Sequence, residues 1–582
     1  MRNSVCSTVA LLFCVGAVIV FTNHAIGQEQ RYPADMIVVN GSVYTVNPEQ
    51  PWAQALAIRA GKIVAVGPDE TIQAYRGPLT RVINAKDHIV LPGFTDSHVH
   101  FMGGSLRLTQ VRLEAATNVA EIQRSIKEYA STHPKTPWIL GGGWKYSAFG
   151  RAAVPDKKYL DEVVPDRPAF LLAYDHHSSW VNSKALELAG INRETPDPPN
   201  GTIVRDPKTG EATGMLKEFP ASALIERVIP EPTHVERLEA LRDGLHEANR
   251  FGVVHVDSAA GDTPYLPLFD ELRKRGELSV RFSVATLMNP PEVTQGQIEL
   301  AEQVRRKYHD EWIDASAIKF IGDGVIEAHT AALLEPYTDD PATSGHLNWS
   351  PEKYKEGVRE LDQRGFQIFT HAIGSRAIRL ALDAYEAAQQ ANGTKDGRWR
   401  VEHIEDPAAS DIPRFGRLNV IASMQPLHAS PDNNNLNVWA RNVGAERATR
   451  SWPWNSIIET GGLVAFGSDW SVVTINPWPG VQLLLTRETP EGTPPGGWNP
   501  EQRLTVEQAI YGYTMAGAIA SRREKTEGSL QAGKVADLII VSQDPFHTDA
   551  TEIGKTEILV TVVGGKVVYQ SPSWSAAGSH AK

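Results

Sequence analysis

Strand-like and helical stretches alternate through the middle of this 582-residue chain. Helical stretches with apolar residues at three- and four-residue spacing occur, for example, at residues 235–250, 350–364 and 375–390. The apolar strand candidates are residues 253–257, 280–287, 317–321, 367–370, 400–403, 420–424 and 463–466. Repeated alternation of this kind indicates a parallel sheet, and in a chain this long it predicts a (β/α)8 barrel of the α/β class.

The two ends of the chain have a different sequence pattern, that of short strands and tight turns. Residues 35–46 read as two strands around an Asn-Gly turn, and residues 55–66 repeat that pattern. Residues 528–541 and 558–569 return to short strands with glycine-containing turns. We therefore expect one small sheet domain to which both termini contribute, with the barrel between its two parts.

The first 27 residues have the pattern of a signal peptide. Arg2 precedes an apolar run at residues 9–21, and Ala25-Ile26-Gly27 is a small-residue cleavage site before Gln28. The pattern predicts export to the periplasm or the cell exterior, with no stable membrane insertion after cleavage. The alternative is an uncleaved anchor, although the apolar run is short for a transmembrane span.

Cysteine usage and net charge exclude several kinds of function. Cys6 and Cys14, the two cysteines of the chain, lie inside the predicted signal peptide, so the mature protein is expected to have no disulfide, cysteine-ligated zinc or cysteine nucleophile. The formal net charge of −12 argues against a nucleic-acid partner, which needs a basic surface. A hydrophobic fraction of 41% and a charged fraction of 22% are typical of a soluble globular protein.

His98 and His100 follow a short apolar run at residues 89–91. Residues two apart in an extended strand point to the same face, so both imidazoles are expected to converge on one point. A shared metal ion is one physical reason for such a pair, because each imidazole can donate a ring nitrogen. By itself the pair also fits ordinary surface or capping histidines.

Several strand candidates further along the chain end in a side chain that can bind metal. Two strands end at His371 and His403, a third leads to Asp469, and Lys319 lies among apolar neighbours in a fourth. In a barrel such strand ends meet at one mouth. The set of nitrogen and oxygen donors suits Zn²⁺ or a similar divalent ion. Each residue alone has a structural alternative as a capping or core residue.

The chain resembles the amidohydrolase superfamily, and within it the amidohydrolase-3, YtcJ-like branch. The stretches that carry the resemblance are Leu91-Pro-Gly-Phe-Thr-Asp-Ser-His-Val-His100, Ile318-Lys-Phe-Ile-Gly-Asp-Gly324, Thr330-Ala-Ala-Leu333, Thr370-His-Ala-Ile-Gly374, Val401-Glu-His-Ile404, Gly467-Ser-Asp469 and Gly528-Ser-Leu-Gln-Ala-Gly-Lys-Val-Ala-Asp537. The resemblance implies a barrel with a small β-sandwich built from both termini. The expected division is a signal peptide at 1–27, β-sandwich at 28–90 and 524–570, barrel at 91–523 with an insertion at about 104–235, and a flexible tail at 571–582.

The resemblance also implies roles for the strand-end residues. His98 and His100 would hold one metal ion, and His371 and His403 a second. Asp469 would bind metal and shuttle protons. Lys319 would react with CO₂ and bridge the two ions as a carbamate, since a buried lysine has a lowered pKa and a free amine. The alternatives are a mononuclear site and a Lys319 that pairs with Asp323 or Glu327 or faces outward.

Four further residues are candidates for substrate contact. His177 lies in a stretch, residues 174–186, that resembles a family block whose histidine faces the site. His176 stands there in place of the usual glycine, which leaves the local backbone conformation open. His329 stands where many relatives have an arginine, and His428 follows another strand candidate. Trp144 is an aromatic candidate for the pocket wall, and for all four an ordinary loop or core role is the alternative.

These observations and the resemblance together predict an exported, metal-dependent hydrolase. It would cleave a C–N bond of a small amide, imide or formamide with a metal-activated hydroxide. The alternatives are a deaminase or other acyl-bond hydrolase on the same barrel, a non-catalytic binding or regulatory relative, and a structural barrel with fortuitous histidines. A small-molecule substrate is the expected partner, and a homodimer is a state that the sequence leaves open.

Overall fold

The computed structural model of the protein describes residues 32–152, 154–393 and 396–576. The predicted signal peptide at 1–27 lies outside the described residues, as do residues 577–582 of the predicted tail. Among the helices that are described, none is long and apolar enough to cross a membrane.

The strands fall into four sheets. In chain order they are β1 (Met36–Val39), β2 (Ser42–Tyr44), β3 (Trp52–Ala53), β4 (Ala55–Arg59), β5 (Lys62–Gly67), β6 (Arg81–Asn84), β7 (Ile89–Pro92), β8 (Phe94–Val99), β9 (Val111–Arg112), β10 (Ile139–Trp144), β11 (Ala169–Ala173), β12 (Ser178–Val181), β13 (Thr202–Arg205), β14 (Ala212–Lys217), β15 (Val253–Ser258), β16 (Arg281–Leu287), β17 (Ile313–Ile321), β18 (Gln367–Ala372), β19 (Arg400–His403), β20 (Ile421–Met424), β21 (Val464–Phe466), β22 (Leu538–Val541), β23 (Ile558–Val563) and β24 (Lys566–Gln570).

The helices lie mainly between the strands of the middle segment. They are α1 (Asp69–Gln73), α2 (Phe101–Arg107), α3 (Val119–Thr132), α4 (Lys158–Asp161), α5 (Ser183–Ala189), α6 (Phe219–Glu226), α7 (His234–Arg250), α8 (Leu266–Arg275), α9 (Gln295–Lys307), α10 (Pro351–Gln363), α11 (Ser375–Asn392), α12 (Ile412–Leu418), α13 (Ala440–Val443), α14 (Ala445–Ala448), α15 (Trp454–Glu459), α16 (Pro477–Thr486), α17 (Val506–Gly512), α18 (Met515–Ala520) and α19 (Pro572–Ala576).

The central sheet is a parallel barrel, as the sequence predicts. Its eight strands follow chain order from β8 through β15–β21, and every hydrogen-bonded pair is parallel. The barrel closes next to β8, where the backbone N–H of Asp469 donates to His98 O (2.6 Å) and that of His100 donates to Trp470 O (2.7 Å). Strands such as β18 are buried along their whole length because helices cover the outer face.

A small β-sandwich lies beside the barrel and contains strands from both ends of the chain. One of its sheets holds β1, β4, β5 and β6, and the other runs in the order β24-β23-β22-β7-β2-β3. β7 pairs with the C-terminal strand β22, with Leu91 opposite Ile539. The chain passes from sandwich to barrel at Gly93, where a side-chain Cβ would lie 2.5 Å from the methyl groups of Val254.

A third unit is inserted between the first two barrel strands. Its six-stranded sheet, β13-β14-β12-β11-β10-β9, lies within residues 111–217, inside the stretch predicted as an insertion. Trp144 and Trp180 are fully buried in its own hydrophobic core. This unit brings residues 174–177 over the mouth of the barrel, where they line a cavity with the ends of the barrel strands.

The chain stays packed beyond the last strand of the sandwich. α19 begins at Pro572, and the ring of Trp574 lies 4.9 Å from the ammonium of Lys86 and 6.1 Å from the ring of His88. Trp574, which lies within the predicted tail, packs against the sandwich core.

A buried histidine in the barrel strand β15, His255, connects this strand to the C-terminal segment of the chain. His255 Nδ1 lies 2.6 Å from Glu527 Oε2, and His255 Nε2 lies 3.4 Å from Asp257 Oδ1. Burial alone would lower the pKa of His255, but Glu527 and Asp257 outweigh it and raise this pKa to about 9. The imidazolium therefore carries its charge at neutral pH.

His255→Gln should lower the free energy of unfolding by about 3 kcal/mol near pH 6.5, because it leaves the buried carboxylate of Glu527 without the cation that it pairs with. The pKa of His255 is about 6.5 in the unfolded chain and about 9 in the folded protein. The stability that His255 contributes is therefore fully present below pH 6.5 and is lost as the pH rises through about 9. The difference between wild type and variant, measured by urea unfolding, should therefore shrink between pH 6.5 and 9. A difference that is constant over this range would contradict the charged pair.

Candidate active site

His98 and His100 stand at the carboxyl end of β8, and their Nδ1 atoms are already engaged. His98 Nδ1 donates to Glu402 Oε2 (2.5 Å), and His100 Nδ1 donates to the backbone carbonyl of Ala260 (3.1 Å). Each ring therefore presents Nε2, at 3.7 Å and 3.2 Å from Asp469 Oδ1 respectively. The two imidazoles converge on one point, as their spacing predicts.

His371 and His403 come from the ends of β18 and β19, the neighbouring strands across the barrel. The ring centre of His403 lies 4.6 Å from that of His371 and 4.8 Å from that of His98. His371 Nε2 donates to Gly324 O (3.2 Å), which leaves Nδ1 as its free ring nitrogen. His403 Nδ1 lies 3.8 Å from Asp469 Oδ2.

Asp469 occupies the centre of this cluster. It follows β21 with a positive φ of 57°, and the preceding residue is held by Asp96, whose carboxylate accepts from the backbone N–H of Ser468 (2.8 Å). Burial raises the pKa of Asp469, but the histidines around it, His98 foremost, more than offset this and leave the pKa well below its usual value. Asp469 is therefore a carboxylate in the structure.

Lys319 points into the same cavity from β17 and is almost fully buried. Burial lowers the pKa of Lys319 to about 8, against the opposing effect of Glu402 and Asp469. The pairing considered as an alternative does not form. The carboxylate of Asp323 accepts the backbone N–H groups of residues 332, 373 and 374, and Glu327 binds Tyr174 and Asn434.

The donor atoms of this cluster fit a divalent metal ion. His98 Nε2, His403 Nδ1 and Asp469 Oδ1 are buried and make no hydrogen bond within the described part of the chain. The three residues offer ligand atoms that all lie within 4.8 Å of one another. Burial lowers the pKa of His98 to about 4 and that of His403 well below its usual value, so both present a neutral lone pair. Buried polar atoms that have neither a hydrogen bond nor a bound ion lower the free energy of unfolding, which favours a ligand at this point.

A buried ion-pair network, unassigned in the sequence analysis, orients His98. Glu402 accepts from His98 Nδ1 and from Arg400 Nε (2.9 Å), and Arg400 also binds Asp257. Burial raises the pKa of Glu402, but Arg400 and His98 lower it far more, so Glu402 is ionised. Arg400 and Glu402 are two apart on β19 and share a face, which is the signal that the sequence offered.

His177 lies in the cavity wall on the inserted unit. Its Nδ1 lies 2.8 Å from Glu218 Oε2, and its ring centre is 5.1 Å from that of His371. Burial lowers the pKa of His177, but Glu218 raises it to about 9, so the ring is an imidazolium at neutral pH. His176, which stands where glycine is usual, has a φ of 65°, so the local backbone keeps a conformation that glycine adopts readily.

His428 also lies in the wall, in the short 3₁₀ turn Pro426–Ala429. Its ring stacks on His403 at 5.9 Å between centres, and its Nε2, without a hydrogen-bond partner among the described residues, lies 3.8 Å from Asp469 Oδ2. Burial lowers the pKa of His428 against the effect of Asp469, which indicates a neutral ring.

Two predicted substrate contacts lie elsewhere. His329 Nε2 pairs with Asp339 (3.0 Å) and its ring packs 4.7 Å from that of Tyr337, outside the cavity. Trp144 is buried in the core of the inserted sheet, where its Nε1 donates to Leu171 O (2.9 Å). Neither side chain lines the cavity at the donor cluster, because His329 is turned to another loop and Trp144 is packed in a core.

The cavity at the donor cluster is small and adjoins a larger outer one. The inner cavity has a volume of about 130 Å³. Besides the histidines its wall contains Asp175, Glu327, Glu405 and Trp452, none of which the sequence predicted as a site residue. The outer cavity has about 330 Å³. Tyr174, His428 and Val472 line both cavities. The two cavities therefore adjoin along these three residues.

The sequence model of the amidohydrolase family matches residues 81–569. The chain is 33% identical to protein LONG AFTER FAR-RED 3 of Arabidopsis thaliana, over 92% of each chain. It is 30% identical to YtcJ of Bacillus subtilis (strain 168), over 91% of this chain and 98% of that one. It is 26% identical to the N-substituted formamide deformylase of Arthrobacter pascens, over 92% of this chain and 98% of that one.

Proposed function

The chain belongs to the amidohydrolase family, and we propose that it is an exported, metal-dependent enzyme that hydrolyses a C–N bond of a small amide, imide or formamide. The observation that carries the proposal is the convergence of buried ligand atoms of His98, His403 and Asp469, which make no hydrogen bond among the described residues, at the carboxyl end of a parallel barrel. The similarity to an N-substituted formamide deformylase supports the formamide class. The apolar run behind Arg2 supports export.

The residues that would hold metal are assigned as follows. His98 and His100 would bind one Zn²⁺ or similar ion, His371 and His403 a second, and Asp469 would contribute an oxygen. When bound, such ions acidify water and polarise a carbonyl group. Glu402 keeps the Nε2 lone pair of His98 directed at the site by accepting its other ring proton.

Asp469 would act as the proton carrier. Its carboxylate is central, ionised and within 3.8 Å of His100, His403 and His428, so it can take a proton from the attacking water. The water oxygen bonds to the carbonyl carbon, the C–N bond breaks, and Asp469 returns the proton to the leaving nitrogen. His177, as an imidazolium in the wall, is suited to orient the carbonyl oxygen.

The decisive experiment is a hydrolysis screen with N-formyl, N-acyl and cyclic amide compounds. Protein loaded with Zn²⁺ should release amine and acid from at least one class, protein stripped by a chelator should not, and added Zn²⁺ should restore the activity. Release of ammonia from an amino-substituted ring instead would identify a deaminase. No turnover and no bound metal would leave only a non-catalytic role.

We propose that Lys319 carries a carbamate, whose oxygens would serve as further ligands when metal is bound. Its neutral amine would bond to the carbon of CO₂ and lose one proton, which leaves an anionic oxygen donor. The burial of Lys319 in the cavity and the lowered pKa support this chemistry. Mass spectrometry without acid should find the added mass of one CO₂, and Lys319→Met should bind about one ion fewer. Unmodified Lys319 with one ion per chain would establish the mononuclear site.

A further inference from the structure

The outer cavity is lined by six charged side chains, and five of them have an opposite charge within 4 Å. Lys145 pairs with Asp432 (2.5 Å), Arg112 with Glu114 (3.7 Å), and Glu247 with Arg250 (2.7 Å). Such pairs neutralise one another and leave little net attraction for a ligand. In the part of the chain that the structure describes, Arg107 is the exception.

Arg107 is half-buried and its hydrogen-bond partner is uncharged. It ends α2, and one of its terminal nitrogens, Nη1, binds Nε2 of His176, a residue in the wall of the inner cavity. Burial lowers the pKa of Arg107 to about 10, and the attraction of Glu114 and Glu226, both beyond ion-pair distance, offsets this only in part. The guanidinium remains a cation at neutral pH and has no carboxylate beside it.

The position of Arg107 relates it directly to the catalytic cluster. α2 follows His100 without a break, so the backbone of Arg107 lies about two helical turns beyond the end of β8. The His176 that it binds neighbours His177, and both line the inner cavity. The guanidinium of Arg107 uses Nη1 to bind His176. Its other edge, formed by Nε and Nη2, makes no hydrogen bond among the described residues. That edge matches the two oxygens of a carboxylate.

We propose that Arg107 is a substrate-binding residue that takes a carboxylate on the part of the substrate lying in the outer cavity. The substrate class is then an N-acyl or N-formyl compound that carries an acidic group, with its scissile bond in the inner cavity. The apolar neighbours Leu108, Trp470 and Val472 fit the short hydrocarbon segment between the two groups. The part of the proposal that concerns the scissile bond rests on the proposed function. The binding of the carboxylate by Arg107 does not depend on it.

The test compares the binding of N-formylglycine with that of its carboxamide to the full-length Zn²⁺-loaded protein, followed by calorimetry. Both probes carry the same formamide group, so any contact between that group and the metal is the same for the two. They differ only in the carboxylate. Wild type should bind the carboxylate roughly 10- to 100-fold more tightly than the carboxamide. Arg107→Gln should abolish that preference, and Arg107→Lys should keep part of it because it keeps the charge without the planar fork.

Arg275→Gln is the matched control, since Arg275 ends α8 as Arg107 ends α2, pairs with Glu271 and lines neither cavity, so this variant should leave the preference unchanged. Metal content and circular dichroism verify that each variant is folded. Equal binding of the two probes by wild type, no binding of the carboxylate, or a preference that survives in Arg107→Gln would each overturn the assignment. Turnover is recorded separately, so an Arg107-dependent preference without hydrolysis would refute the proposed function alone.

Discussion

Asp469→Asn should lower kcat by roughly 10³-fold or more while the protein still binds metal. The amide keeps the size of the carboxylate but cannot accept the proton of the attacking water. Asp469 is surrounded by four histidines, so the substitution also removes the negative charge that they face. The measurements are kcat with the best substrate of the screen and the metal content of the purified variant.

Asp339→Asn is the matched control, because Asp339 pairs with His329 outside the cavity and should leave kcat unchanged. If Asp469→Asn kept wild-type turnover with full metal content, Asp469 would not carry the proton. If it lost metal as well as turnover, its main role would be that of a ligand.

Glu402→Gln should weaken Zn²⁺ binding by roughly 10- to 100-fold and lower the free energy of unfolding by about 3 kcal/mol. Glu402 is fully buried between His98 and Arg400, so a neutral amide leaves Arg400 with less compensation and His98 with a poorer acceptor. Zn²⁺ titration against a chelator measures the first effect and urea unfolding of the metal-free protein the second.

Excess Zn²⁺ should restore most of the turnover of Glu402→Gln, because Glu402 orients a ligand and does not touch the reacting atoms. Glu360→Gln, which removes an exposed partner of Arg364, is the control and should alter neither quantity measurably. Wild-type zinc affinity in Glu402→Gln would contradict the role of Glu402 in holding His98.

The barrel was predictable because its strands are continuous apolar runs that carry their own signal. The candidate at residues 400–403 coincides with β19, and the candidate at 367–370 lies within β18. The run at 89–91, which lies at the predicted boundary between sandwich and barrel, forms the sandwich strand β7, and His98 lies in the next strand, β8. Local sequence cannot show which sheet such a run joins, because its partner, residue 539, is far away in the chain.

The site was predictable to the extent that its residues end strands. His98, His371 and His403 meet because the carboxyl ends of parallel strands share one mouth. For residues in loops, the sequence does not indicate the direction in which the side chain points. His329 and His428 are both histidines in irregular segments, yet one faces Asp339 and the other the cavity.

The sequence by itself determined the type of fold and most of the donor cluster at the barrel mouth, since strand periodicity and strand-end position are local properties. Only the tertiary structure decided which charges are compensated. Glu402 meets His98, Glu218 meets His177, and Arg107 is left with a neutral histidine, through contacts that join elements distant in the chain. The strength of a charge in a protein depends on its neighbours and its burial, and neither is written in the order of residues along the chain.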